Sequence, residues 1–407
     1  MSFEIALTGL NAASTELEVI SNNIANNATT GFKRTRADFA DVYASSSLGS
    51  ANNAVGQGVR VGSLRQEFTQ GDVRFTQNNL DLAVDGTGMF ELNDNGNVVY
   101  TRAGAFNLDR EGFIVNPQGH RLTGYGIDAD NEIVPITGDL QVDFADIEPR
   151  ESDDLGFVLN LDSRDEVLPA FDPNVRSTYN YTTSTTVYDA LGSAQIATLY
   201  LHKDTPTSWS SFLFVDGQEV TQPGGEEMTF DGSGNLTAVN GDPAGTFTTS
   251  TFNPASGATQ MDMTVDLSDV THFEALSGVN QIVQDGYASG RLEDFDIDAS
   301  GIVFGRYSNG QAKTMGQITL TEFPNEEGLQ QLGNSSWGET FSSGEPATGA
   351  PGSASLGLVQ AGALENSNVD ITQELVAMIG AQRSFQANAQ VISTGDTLTQ
   401  TVINIRR

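Results

Sequence analysis

The residues able to do chemistry in this sequence are few and scattered. Its three histidines, His120, His202 and His272, lie far apart, and none stands at the short spacing with which histidines ligate a metal. Each reads as an ordinary strand or loop residue. Asp85-Gly86-Thr87-Gly88 lacks the third glycine and the following helix of a phosphate loop, and reads as a turn entering a strand. The stretch Asp294, Asp296, Asp298 and Gly301 superficially resembles a calcium loop. Such loops place glycine directly after the third acid and a bidentate Glu further on, and neither is present. Phe295 and Ile297 alternate with the acids, as on an edge strand that turns at Asp298–Gly301. No Ser, His and Asp can be argued into a triad from spacing, and partners distant in sequence stay open. The absence of cysteine removes thiol catalysis, disulfides and cysteine-based zinc or iron–sulfur sites together. The expectation is a protein that is no enzyme, with no catalytic, metal or cofactor-binding residues and no cofactor.

What, then, do the elements carry? The chain has 407 residues, enough for two to four domains at ~100–200 residues each. Its 53 acids outnumber its 19 bases, for a net charge of −34. Lys33-Arg34-Arg36 is the largest basic cluster, so a phosphate backbone or an anionic membrane surface would be repelled. Nucleic-acid binding is excluded. No apolar run approaches the ~18–20 residues of a membrane span, which argues against membrane insertion. The start, Met1-Ser2-Phe3-Glu4, lacks the basic and apolar regions of a cleaved secretory signal. The chain is expected either to stay in the cytoplasm or to leave by a route that reads no such signal.

Charge is distributed unevenly. Residues 1–70 carry net −1, 71–145 carry −8, 146–289 carry −18, 290–362 carry −6 and 363–407 carry −1. Neutral ends around an acidic centre fit a nested chain whose ends meet. A multidomain protein with one acidic domain explains the centre but not both ends.

Both ends read as helix. Phe3, Ala6, Leu10, Ala13, Leu17, Ile20 and Ile24 repeat at spacings of three and four, a narrow heptad seam on a helix about 35 Å long. Asn22, Asn23, Asn26 and Asn27 crowd its end, and Gly31 can take positive φ beyond it. Near the other end, Ser367 and Asp370 have the spacing of a capping box. Ile371, Leu375, Met378, Gln382, Phe385, Ala389 and Ile392 follow at the same periodicity. Gly395-Asp396 interrupts it, and Val391, Leu398, Val402 and Ile405 form an offset seam. Narrow seams with small residues suit packing between helices, with each other and with copies of themselves. Between the ends, short strands alternate with turns such as Asn93–Gly96, Leu191–Ser193, Asp216-Gly217 and Asp231–Gly234, which indicates sandwiches or small barrels. Gly/Ser/Pro-rich stretches at 45–58 and 342–355 read as loops or linkers.

Two function classes remain: a self-assembling structural subunit whose terminal helices polymerise, and a soluble β-rich binding or hydrolytic protein whose helices dock on its core. Here the residues themselves resemble a family. Asn22, Asn23, Asn26, Thr29, Gly31, Phe32 and Lys33 are similar to the N-terminal signature of rod and hook proteins of the bacterial flagellum. Glu365–Asp370, Glu374, Met378, Arg383, Phe385 and Asn388 resemble the closing helix of that group. Gln77–Leu82, Gly86 with Gly88-Met89-Phe90, Tyr100–Gly104 and Tyr307–Gln311 fit its interior. Tyr179–Tyr181 and Thr185–Asp189 with Leu191-Gly192 resemble the outer domain of its hook-type members.

The resemblance implies a mainly β chain with terminal α-helices, nested in a set order. Residues 1–27 and 366–407 would form a coiled-coil, channel-lining domain, with 28–70 and 356–365 as connecting loops. Residues 71–145 and 290–355 would form an inner β domain, and 146–289 an outer acidic one. The length with its acidic insertion implies a hook-type subunit, a flexible helical tube acting as a universal joint between rod and filament; a distal rod-type subunit is the alternative. Implied partners are further copies of the chain, the distal rod protein, the hook cap protein, the hook–filament junction protein and the flagellar export apparatus. The implied place is the extracellular hook, reached without a cleaved signal. Gly395 stands where relatives usually carry a better helix former, and leaves the straightness of the closing helix open.

Overall fold

A computed structural model describes residues 2–42, 56–128 and 131–405. The chain divides into two compact units. One comprises residues 1–144, 294–306 and 312–407, and the other 145–293 and 307–311.

The first unit holds both long helices, α1 (Ser2–Ala25) and α2 (Ile371–Ile405). They pack against each other as an antiparallel pair. Gly9 lies so close to Asn388 that a Cβ there would stand 2.7 Å from its amide oxygen, while Arg34, beyond the end of α1, meets Glu374 in the first turns of α2. α2 continues without a break through Gly395, whose carbonyl accepts a hydrogen bond from Thr399 Oγ1 (2.8 Å). Its N-cap is Asp370, not Ser367: Asp370 Oδ1 accepts from the amides of Thr372 (2.8 Å) and Gln373 (3.2 Å). Ser367 instead caps the preceding turn through the amide of Val369. The spacing that suggested a capping box puts the acid at the cap itself.

The segment read as connecting loop, 28–70, contains an antiparallel hairpin, Thr35–Asp41 with Val59–Gln66. An isolated two-stranded ribbon is marginal in water. This one lies along α1, where the amide of Val59 donates to Thr8 Oγ1 (3.3 Å) and Asn23 clasps the backbone of Thr35 from both sides. Charged Arg36, Asp38, Arg60 and Arg65 concealed it as a loop. Of the 45–58 stretch, 45–55 lie outside the described residues.

Outgoing and returning chain then pair with each other. Val73–Phe75 pairs with Ala363–Glu365, and Leu82–Asp85 with Leu358–Ala361, all antiparallel. Beyond them a thirteen-stranded sheet includes Met89–Asp94, Asn97–Thr101, Arg121–Ile127 and Ala312–Ile318. Its core is dry: Leu82, Val84, Phe90, Leu92, Leu122, Ile318 and Leu320 are fully buried, and Phe90 meets Phe106 edge to face at 5.5 Å. Trp337 packs with Met89, Tyr100 and Phe323, and its indole N–H donates to Gln66 Oε1 (2.7 Å), which ties the hairpin base to the sheet.

The second unit is two sheets around one core. A six-stranded sheet has Ala194–Thr205 and Ser208–Val215 at its centre. A four-stranded sheet carries Asp154–Asn160 between Gly278–Gln284 and a parallel partner, Thr264–Asp266. Leu155, Phe157, Leu199, Leu213, Trp209 and Val265 fill the space between. The turn 189–193 is organised by buried Asp189, whose carboxylate accepts from the amides of Leu191 and Ser193 and from Gln195 and Ser256. The entry and exit of this unit meet at a bridge between Ile147 and Gly290.

Candidate self-assembly surface

The N-terminal seam divides by exposure. Ala6, Ala13 and Ile20 are buried, Leu10, Leu17 and Ile24 half-buried, and Phe3 is exposed. On α2 the line of contact is rotated from the one the periodicity suggests. Glu374 and Ala381 are buried, and Met378, Phe385, Asn388, Ala389 and Ile392 are half-buried. Ile371, Leu375, Gln382, Arg383 and Leu398 face solvent instead. The side chains of Val402 and Ile405 lie outside the described residues. The rotation has a physical cause. Small Ala381 and Gly9 let the helices approach, and Glu374 is drawn inward by Arg34, whose Nε is 2.6 Å from its Oε1. Together with Val376, Ile379 and Val391, the outward apolar residues leave long stretches of α2 uncovered, more than a single chain needs to expose.

The signature residues following α1 build a joint. Asn22 is exposed, and Asn26 donates to its side chain (2.8 Å). Asn26 Oδ1 in turn accepts from exposed Thr29 (3.2 Å). Gly31 has φ +67°, its amide donates to the carbonyl of Glu365 (2.9 Å), and a Cβ would strike the backbone of Ala103 at 2.5 Å, so only glycine fits there. Phe32 is buried behind it.

Lys33 is the centre of the joint. Its ammonium is 2.7 Å from Glu365 Oε1 and donates to the carbonyl of Thr69 (2.8 Å). Glu365 Oε1 also accepts from the amide of Gly71 (2.9 Å), and Oε2 from Arg102 Nη1 (3.3 Å). Arg102 Nη2 donates to the carbonyl of Gly86 (2.8 Å), the first glycine of the Asp85–Gly88 turn. Lys33 and Glu365 are 1% and 0% exposed. Burial pulls the Lys33 ammonium below the usual lysine range, and Glu365 opposes that pull. Asn368 completes the joint by accepting from the amide of Arg34 (2.7 Å) and donating to the carbonyl of Glu67 (2.7 Å). Five stretches of chain are thus fixed around one carboxylate. Glu365, Arg102, Arg34 and Asn368 escape a reading by spacing, because Lys33 and Glu365 are 332 residues apart. The signal available was the presence of Lys33, Arg102 and Glu365 as charged residues within the family-like motifs.

The three histidines have separate neighbours. His120 Nε2 is 3.7 Å from Asp94, His202 Nδ1 is 2.8 Å from the carbonyl of Thr178, and His272 packs against Trp209 and Phe230. Among the described residues no group of three or more His, Cys, Asp or Glu could hold a metal ion, and no helix is long and apolar enough to cross a membrane. Asp298 caps its own turn, accepting from the amides of Ser300 and Ile302.

Four family models match in succession along the chain. They are flagella basal body rod protein over residues 3–33, the flagellar hook protein FlgE/F/G D1 domain over 83–144, the flagellar basal body protein FlaE D2 domain over 160–287, and the flagellar basal body rod FlgEFG protein C-terminal region over 360–405. The chain is 37% identical over 423 residues to the flagellar hook protein FlgE of Escherichia coli (strain K12), with 100% of each covered. It is 33% identical over 436 residues to that of Borreliella burgdorferi, with 98% of each covered. Among solved structures it is similar to the crystal structure of Helicobacter pylori flagellar hook protein FlgE2. There the TM-score is 0.54 at 14% identity, covering 70% of this chain and 99% of that one, a likeness of fold.

Proposed function

The chain belongs to the flagellar hook protein family and is a structural subunit of the hook, and from that premise we propose that its two terminal helices are the polymerising element. The observation that carries this reading is the apolar surface left on α2 after it has paired with α1: Ile371, Leu375, Val376, Ile379 and Leu398 are all exposed. Repeated contacts between unlike surfaces whose rotation does not close build an open helical tube. Seams running along the helices supply continuous axial packing that transmits torque, and the joint at Lys33, Glu365 and Arg102 fixes how each helix pair leaves its β-rich part. Residues 146–289, with net charge −18, form the outer domain in this reading. Neighbouring acidic surfaces then meet through hydrated contacts that slide as the tube bends. Such a tube is stiff in twist and soft in bending, a universal joint. The distal rod protein, the cap and junction proteins and the export apparatus are its partners, and export without a cleaved signal carries it to the outside of the cell.

Negative-stain microscopy tests this. The full chain should form tubes after salt is added, whereas a truncation to residues 70–362 should remain folded and form none. Tubes from the truncated chain would place the polymerising contacts in the β-rich parts and overturn the assignment.

A further inference from the structure

The two helices are unequal in length. With Gly9 beside Asn388 in an antiparallel pair, Ser2 falls near residue 395, and roughly ten residues of α2 extend beyond the start of α1. At ~1.5 Å per residue this overhang is ~15 Å long. Leu398 on it is 63% exposed, and Val402 and Ile405 follow at spacings of four and three. Toward the opposite end of the helix pair a cleft of about 370 Å³ opens between α1, the base of the hairpin and residues 327–331. Val19, Leu64 and Leu329 are its apolar lining, and Glu18 and Glu327 its acidic lining. Leu64 is 55% exposed in the single chain.

We propose that the α2 overhang of one copy seats in this cleft of the next copy, which makes it the axial contact of the tube. The inference rests on the hook reading and specifies its interface. Three observations favour a second copy as the occupant. The overhang and the cleft lie toward opposite ends of one helix pair, so their contact is head-to-tail and heterologous, the kind that an open helical tube requires. Each presents an apolar side chain that the single chain leaves uncovered, Leu398 on the overhang and Leu64 in the cleft. Their charges also match: in a chain of net −34, residues 397–407 contain no acid and include Arg406 and Arg407, while the cleft carries Glu18 beside Glu327, the latter already paired with Arg65.

The absence of cysteine makes the test free of background. A full-length Leu64→Cys, Leu398→Cys variant, polymerised under reducing conditions and then oxidised, should lose its monomer band on a non-reducing gel to a ladder of multimers. Each copy carries both halves of the contact, so the ladder extends beyond dimers. A Val98→Cys, Leu398→Cys control, with a cysteine at an exposed site away from the cleft, should give none. Should the double variant not polymerise, copolymers of the two single variants test the same contact and should yield crosslinked dimers. Tubes without crosslinks, or crosslinks in the Leu398→Cys single variant alone, would overturn the proposal, the latter showing that overhangs pack side by side. Either result leaves the hook reading standing. That reading fails separately, if the unmodified chain forms no tubes.

Discussion

Replacing Glu365 by Gln keeps the shape of the buried joint and removes the carboxylate that contacts both Lys33 and Arg102. Among the described residues Lys33 and Arg102 then have no carboxylate in contact, and Glu326 acts on both only from longer range. Breaking a buried pair in this way costs about 3–5 kcal/mol. Lys33→Met is milder. It leaves Glu365 and Arg102 as a one-to-one pair, and the carbonyl of Thr69 still accepts from Asn368 Nδ2 (3.2 Å). Of the two hydrogen bonds of the ammonium, the one left without a replacement is that to the Glu365 carboxylate, about 1.5–3 kcal/mol. The double variant gives the sharper test. With Glu365 neutral, deleting the Lys33 ammonium relieves a buried charge, so Lys33→Met should stabilise the Glu365→Gln chain while destabilising the parent. The two tryptophans allow the measurement, because Trp337 lies in the first unit and Trp209 in the second. In a Trp209→Phe background, Trp337 fluorescence reports melting of the first unit alone. A unit of about 250 residues shifts by roughly 2–4 °C per kcal/mol, so Glu365→Gln should lower its Tm by about 6–20 °C. Additive effects of the two substitutions would refute the reasoning, since they would mean the charges do not sense each other.

Asp370→Ala removes the cap of α2 and should cost about 0.5–2 kcal/mol, read as faster amide exchange in residues 371–375; unchanged exchange would deny the cap its role. Polymerisation should accelerate with salt, because the screening length falls from ~30 Å at 0.01 M to ~8 Å at 0.15 M and 34 net negative charges per copy repel. Salt-independent turbidity kinetics would show that the acidic surfaces are too far apart to interact. The second unit should also be sensitive to acid. Burial holds His272 below the usual histidine range, aided by nearby Lys203 and opposed by Asp162 and Asp165. A base whose folded pKa is depressed binds fewer protons folded than unfolded, so stability is complete at higher pH and declines as pH falls below ~6.5. His272→Gln should remove that part of the pH dependence in Trp209 fluorescence melts, and an identical pH slope in the variant would assign the sensitivity elsewhere.

Local structure was the legible part of the sequence. The seam of α1 spans its helix because residues three and four apart share a helical face, whatever packs on it. The turns at Asn95-Gly96 and Asp216-Gly217 do take positive φ at both residues, a backbone requirement written in the residues themselves. What could not be read depends on partners distant in the chain. The face that α2 turns inward is decided by Arg34 and Gly9, which no periodicity within residues 371–392 contains. The hairpin 35–66 stays hidden because α1, rather than its own alternation, supports it. The joint around Glu365 joins residues 33, 71 and 102, and its members were visible only as charges inside family-like motifs.

The bridge between Ile147 and Gly290 bears on the order in which the molecule is made. Strand Val73–Phe75 must find Ala363–Glu365 across nearly three hundred residues. Loop-closure entropy grows with the logarithm of loop length, about 0.6 kcal/mol per doubling. Once the second unit has folded and brought 147 beside 290, that loop shrinks to its two flanks, roughly half the original length. The insertion therefore burdens the search of its host very little. α2 occupies residues 371–405, so a chain still being made or threaded lacks the helix pair on which, in the proposed reading, further copies would gather. Nested topology of this kind keeps the paired surface from existing until residues 371–405 have joined residues 2–25.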